Sequence, residues 1–397
     1  MAARRVTPAA AQAVPASAAT APLRPAWAEI DLAAIRHNAR VLRDLVTPAE
    51  LCAVVKAWGY GHGPVQAAKA ALQGGATSLA VALVEEGRQL RNAGIGAPVL
   101  LLSEPPAPAM AEVVRSSLTP TVYTEGGVGA LSDAVAVSPR LEPFPVHVKV
   151  DTGMHRVGAE PEEAERIALD VAARPELDLR GLWTHFAVAD ELESSFTAEQ
   201  LAVFLDVVGR LARRGVRPPV LHAANSAAAL CHPSTRLDMV RCGVSVYGLA
   251  PSPDVARDGR CSALRPALSL RARVSFVKEV GAGDRLSYGL RYALSRRSVI
   301  ATVPLGYADG VTRSLSSRGG QVLIGGSRYP IAGSVTMDQV LIDCGPAADV
   351  AVGDVVVLLG CQGAEEITAW EWAERTGTIA YEVVCGVSAR VPRIYRP

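Results

Sequence analysis

Eight short apolar runs follow one another between residues 51 and 248, and helix-period segments separate most of them. The runs are LCAVVK (51–56), SLAVAL (78–83), PVLLLS (98–103), LTPTVY (118–123), VHVKV (146–150), LRGLWTHF (179–186), PVLHAA (219–224) and MVRCGVSVYG (239–248). Strands this uniformly apolar are buried on both faces, and parallel neighbours need helical crossovers between them. The clearest crossover helix carries Leu201, Phe204, Leu205, Val208 and Leu211. It stops at Arg213, Arg214 and Gly215, a cationic last turn with a glycine cap. Another is expected after WAEID, with Asp31 as N-cap and Leu32, Ile35, Ala39, Leu42 and Leu45 as its apolar positions. Eight such units over about 220 residues match a (β/α)8 barrel of the TIM type. An open doubly wound sheet would carry GxGxxG at its first turn, and that signature is missing.

The texture changes near residue 265. ALSLRARVSFVKEV, RSVIATVPLG, QVLIGGSRYPIAG, QVLIDCG and DVVVLLG read as strands with glycine-rich turns, and only TAWEWAERTG reads as a helix. The expected organisation is therefore α/β. A disordered Ala/Pro-rich tail covers residues 1–25, a barrel 26–264 and a mainly β-strand domain 265–397. The basic start of the tail and its ASAATA resemble a signal peptide, but Pro, Thr and Gln interrupt any apolar stretch.

Composition narrows the function classes. The net charge of +1 gives no electrostatic footprint for nucleic acid or anionic lipid. No run approaches the roughly 18 apolar residues of a membrane helix. Seven scattered cysteines, with no CxxC pair, fit reduced thiols in a cytoplasmic protein better than a disulfide frame or a zinc site.

Lys56 ends the first apolar run, where βα loops of a barrel carry the chemistry. Partial desolvation there disfavours the ammonium form, and a neutral amine can form a Schiff base with an aldehyde. Taken alone, a lysine that snorkels to solvent or pairs with a carboxylate is the better account of the position. The loops after strands seven and eight, where barrels often bind phosphate, carry HAANSAA with Ser226 and RCGVSVYG with Gly243.

The motifs AEIDLAAIRHN, AVVKAWGYGHG, KVDTGMHRVG, THFAVAD, HAANSAA, RCGVSVYG, LSYGLRY, PLGYADG, MDQ and YEVVCGVSARVPRIY stand in order from Trp27 onward. In that order they resemble the alanine racemase family, a family of pyridoxal-phosphate enzymes. The resemblance implies that Lys56 holds the cofactor and serves as one of two catalytic bases. Tyr60, Ser226, the Gly243–Val244 backbone and Tyr381 would bind its phosphate, and His185 would pack on its ring. Arg241 would face the ring nitrogen, with His222 orienting it. A guanidinium there keeps the nitrogen unprotonated and favours proton return over side reactions.

The resemblance further implies that Tyr288 is the second base and is lent by the other subunit of a homodimer. Inversion needs acid–base groups on both faces of the reacting carbon, and a phenol serves at neutral pH only beside cations. Arg156 and the Met337 backbone N–H would bind the substrate carboxylate, and Tyr307 would line the way in. Lys149 would be carbamylated to brace Arg156, or else an ordinary lysine paired with Asp151. Asp309 and Asp338 would order loops. WAEID would join the β-domain, which would complete the partner's site.

Three residues depart from the family's usual pattern: Trp58, His155 and Ser334. A large aromatic at Trp58 is expected to repack the cavity floor or touch the cofactor ring. The implied reaction is interconversion of L- and D-alanine for peptidoglycan. The alternatives are a broader racemase acting on serine or basic amino acids, a non-catalytic cofactor carrier, and a decarboxylase, which Arg241 disfavours.

Overall fold

The computed structural model describes residues 23–397. Most of the expected tail, residues 1–22, lies outside the described residues. Arg24 departs from the expectation of a disordered tail. Its guanidinium bridges the buried Asp309 carboxylate at 2.8 and 3.1 Å, and Ala26 to Asp31 already form strand β1.

The eight runs become strands β2 (Glu50–Val54), β3 (Ser78–Val81), β4 (Val99–Leu101), β5 (Thr121–Val122), β6 (Phe144–Lys149), β7 (Leu177–Trp183), β8 (Val220–His222) and β9 (Met239–Cys242). They pair in parallel in the orders β4-β3-β2-β9 and β5-β6-β7-β8. Backbone hydrogen bonds join the two sheets at both edges. Leu101 N donates to Thr119 O at 2.9 Å, and Arg241 N donates to Ala224 O at 2.9 Å. The result is a closed barrel. Its strands are buried almost throughout, which is why their sequences show no polar alternation.

Helix Leu32–Val46 begins as expected, with Asp31 Oδ1 accepting the Ala34 N–H at 2.8 Å. Replacing such a cap with alanine costs about 1 kcal/mol. Its buried stripe runs Ile35, Ala39, Leu42 and Val46, an i, i+4, i+7, i+11 series. Leu45 falls off that series and is exposed, so Val46 takes the place expected of it. Helix Phe196–Arg213 likewise buries Leu201, Phe204 and Leu211 but turns Leu205 outward in favour of Val207.

The C-terminal part is mainly β. Strand β1 pairs antiparallel with Leu268–Arg273 and parallel with Arg393–Arg396, so segments far apart in sequence share one sheet. A second sheet joins Phe276–Val280, Ser298–Val303 and Val340–Asp343. Two short strands, Arg285–Leu286 and Tyr292–Ala293, form a hairpin around Tyr288. Helix Ala369–Thr376 follows its cap at Thr368 as expected. A second helix, Ala380–Cys385, was not expected. Its YEVVC sequence has β-branched residues, yet burial of Ala380, Val383 and Val384 outweighs that local preference. This helix closes over the barrel mouth. Among the described residues no helix is long and apolar enough to cross a membrane.

Candidate active site

Strand β2 stops at Val54, and Lys56 opens the turn that follows rather than ending the strand. Ala57, Trp58, Gly59 and Tyr60 have φ of 52, 58, 60 and 51°, one turn of left-handed helix. Each non-glycine residue in that region costs roughly 1–2 kcal/mol, so neighbouring structure must impose it. Glu86 Oε1 accepts the Ala57 N–H at 2.7 Å, and the Tyr60 carbonyl lies 2.7 Å from Nδ1 of the buried His62. Gly61 has no room for a side chain: a Cβ there would lie 2.2 Å from the Val384 carbonyl. The strained turn points both Lys56 and Tyr60 into one cavity.

That cavity, of about 480 Å³, is lined by Lys56, Tyr60, Arg156, His185, Ser226, Arg241, Gly243, Val244 and Tyr381 among others. These nine expected residues come from six separate stretches of sequence. The lining includes Lys56, Arg156 and Arg241 but no carboxylate, so it suits an anion. Desolvation, then the charge on Arg156, holds the Lys56 amine below its ordinary pKa.

Arg241 is buried at the end of β9. NH1 donates to His222 Nδ1 at 2.7 Å, and NH2 donates to the Thr184 and Ala223 carbonyls at 2.8 and 2.9 Å. Its Nε–H has no partner among the described residues, which leaves a donor for a ligand. Burial pulls its pKa down to about 10, still cationic at neutral pH. The guanidinium carbon sits 4.4 Å from the Trp183 ring centre, and Lys149 Nζ sits 4.8 Å from it. Trp183 thus offers its π face to the buried Arg241 cation and to the Lys149 amine.

Elsewhere in the lining, Gly243 N donates to Ser226 Oγ at 2.9 Å. A Cβ on Gly243 would lie 2.3 Å from the Tyr60 hydroxyl, so glycine is what lets Tyr60 close in. Tyr60 stacks on Tyr247 at 5.0 Å and tilts against Tyr381 at 6.3 Å. Asn225 caps the helix that starts at Ser226, accepting from Ala228 N at 2.9 Å.

Lys149 is buried in β6, and of its two expected states the ion pair with Asp151 is not formed. Asp151 Oδ1 instead accepts three backbone N–H groups, from Gly153, Met154 and His155, at 3.0 to 3.1 Å. It shapes the turn that presents Arg156. Left unpaired at a buried position beside Arg156 and Arg241, the Lys149 amine falls to about pKa 7, with desolvation the main cause.

Tyr288, Tyr307 and Met337 do not line this cavity. They are exposed, Tyr288 most of all at 74%. Yet they are held together on one face. Ser287 Oγ donates to the Ser334 carbonyl at 2.6 Å, and Ser334 Oγ returns a bond to the Tyr288 carbonyl at 3.0 Å. Tyr307 N donates to Thr336 O, and Ala308 N to Met337 O. The departure at Ser334 therefore clasps the Tyr288 loop.

Trp58 neither repacks the cavity floor nor joins the cavity lining. Its left-handed backbone turns the ring outward, half exposed, with Arg393 over it at 5.5 Å. His155 also has a positive φ, 52°, which explains why glycine suits that position, and its imidazole is exposed. Glu86, Trp183 and Asn225 were missed by sequence reasoning. Only Asn225, a cap residue just before a helix, had a local signal.

The chain matches the models for the alanine racemase N-terminal domain over residues 30–251 and C-terminal domain over 267–395. The chain belongs to the alanine racemase family. It is 46% identical to the alanine racemase of Symbiobacterium thermophilum, covering 94% of this chain and 97% of that protein. It is 45% identical to that of Carboxydothermus hydrogenoformans, covering 94% and 100%. Among solved structures, the Bacillus anthracis alanine racemase with bound L-Ala-P superposes with a TM-score of 0.87 at 40% identity, covering 94% and 95%. The Streptomyces lavendulae alanine racemase gives 0.88 at 38% identity, covering 94% and 97%. The expected resemblance and fold class hold over both parts of the chain.

Proposed function

We propose that the protein interconverts L- and D-alanine with pyridoxal phosphate, as a cytoplasmic homodimer that supplies D-alanine for peptidoglycan. The observation that carries this is the cavity itself: a depressed lysine amine, a guanidinium whose Nε–H is free and a glycine cradle under a tyrosine, with no carboxylate in the lining. The residues fit the cofactor. Lys56 would hold it covalently, and Tyr60, Ser226, Tyr381 and the Gly243–Val244 backbone would hold its phosphate. Arg241 Nε would meet the ring nitrogen, with His185 packed on the ring. When bound, pyridoxal phosphate supplies the electron withdrawal that makes an amino acid's Cα–H acidic.

The protein's part is positioning and proton transfer. Lys56, less basic than a free lysine, takes or returns the Cα proton on one face. Tyr288 from the partner subunit serves the other face, which accounts for a hydroxyl exposed here and absent from its own chain's cavity. Lys56 serves the D-enantiomer and Tyr288 the L-enantiomer. Arg156 and the partner's Met337 N–H grip the substrate carboxylate, while the partner's Tyr307 narrows the approach. Arg241, cationic and donor-only, leaves the ring nitrogen unprotonated.

Seven unpaired thiols are compatible with a reducing compartment. Borohydride reduction followed by peptide mapping tests the reading, together with direct assay of L-alanine to D-alanine conversion. The cofactor should be fixed on Lys56. A label on another lysine, or no conversion, overturns it.

A further inference from the structure

We infer that Arg24 is a positioning residue that sets how Tyr307 and Met337 are presented to substrate; this rests on the reading of those two as substrate contacts. Asp309, two residues after Tyr307, is fully buried. Its Oδ2 accepts the Gly306 N–H at 3.0 Å, so the carboxylate spans the Tyr307 turn. Arg24 grips both carboxylate oxygens, NH1 to Oδ2 at 3.1 Å and NH2 to Oδ1 at 2.8 Å. This fork is the geometry in which a guanidinium fixes orientation as well as charge.

The Tyr307 turn and the Met337 loop form one unit. Besides the two backbone bonds between them, a Cβ on Gly306 would lie 2.3 Å from both the Thr336 and Met337 carbonyls. Arg390 ties the far side: Nε lies 3.6 Å from Asp309 and NH2 lies 2.6 Å from Asp338. Arg24 also donates to the Arg390 carbonyl at 3.3 Å. The segment before β1 thus anchors a turn 285 residues away. Without Arg24, a buried carboxylate keeps only Arg390 at 3.6 Å and one N–H, too little to hold it in place. The turn would relax, and the Tyr307 ring and Met337 N–H would shift together. Arg24 lines no part of the cavity, so its effect reaches substrate only through that turn.

The test is steady-state kinetics of the full-length holoenzyme carrying Arg24→Ala, Arg24→Lys or Asp338→Asn, with alanine and serine as substrates. For Arg24→Ala the KM for alanine should rise several-fold with kcat little changed, and the preference for alanine over serine should fall. Arg24→Lys, which keeps the charge but not the fork, should recover part of both. Asp338→Asn should shift selectivity in the same direction. Wild-type KM and selectivity in folded Arg24→Ala overturn the inference. If that variant does not fold, unchanged selectivity in both Arg24→Lys and Asp338→Asn overturns it. Neither result touches the assignment of Lys56, which fails only if wild-type enzyme lacks racemisation or carries the cofactor elsewhere.

Discussion

Arg241 NH1 donates to His222 Nδ1 at 2.7 Å, and that contact fixes the protonation of both side chains. A guanidinium offers only donors, so His222 Nδ1 must accept and its proton sits on Nε2. His222 Nε2 lies 2.8 Å from His147 Nδ1, which accepts in turn. Both imidazoles are neutral, and the charge stays on Arg241.

Acid should therefore undo the fold early. Burial holds His62 near pKa 4 and His147 near 3, with His185 and His222 also well below the ordinary 6.5. Below about pH 6.5 the unfolded chain binds protons that the folded chain refuses, so stability falls as pH falls. The contribution is fully present above that pH. Thermal unfolding followed from pH 7.5 to pH 4.5 should show a steadily dropping Tm. A flat profile would count against neutral, buried imidazoles.

Gly243→Ala should weaken cofactor binding without unfolding the barrel. The added Cβ meets the Tyr60 hydroxyl at 2.3 Å and must push it aside. We expect a loss of about tenfold in cofactor affinity, read by equilibrium titration of apoenzyme. Wild-type affinity would show that Tyr60 need not approach the backbone so closely.

Lys149, with a pKa near 7, is largely a free amine at pH 8 and so reactive toward carbon dioxide. Carbamylation would put a negative charge beside Arg156 and offset the surplus of cations. Carbon-13 NMR in labelled bicarbonate should show one carbamate resonance that disappears in Lys149→Arg. No resonance in the wild type would mean that the amine stays unmodified.

Gly61→Ala should cost about 1–3 kcal/mol of stability, since φ is +79° and the Val384 carbonyl stands 2.2 Å from the new Cβ. Chemical denaturation measures it directly, and an unchanged midpoint would show that helix Ala380–Cys385 can move away freely.

The barrel was legible because both-face burial leaves a plain signature, eight apolar runs, and Asp31 announced its helix through cap chemistry. Ser226 and Gly243, singled out by the loops after the seventh and eighth strands, do line the cavity. What stayed hidden depends on distant contacts. The left-handed turn at Ala57–Tyr60 is imposed by Glu86 and His62, and no propensity of AWGY suggests it. The outward swing of Trp58 follows from that turn. Helix Ala380–Cys385 overrides its own β-branched sequence by packing. Arg24 looked like tail because its partner lies in another motif at the far end of the chain.

Sharing of the active site between subunits can be read from a mixture of two crippled chains. Lys56→Ala and Tyr288→Phe homodimers should each be nearly inactive, losing roughly 10²- to 10⁴-fold. After subunit exchange at equal amounts, half the dimers are mixed, and each mixed dimer pairs one intact Lys56 with one intact Tyr288. Activity should return to about a quarter of the wild-type level. A mixture that exchanges subunits yet stays dead would mean that both bases belong to the same chain.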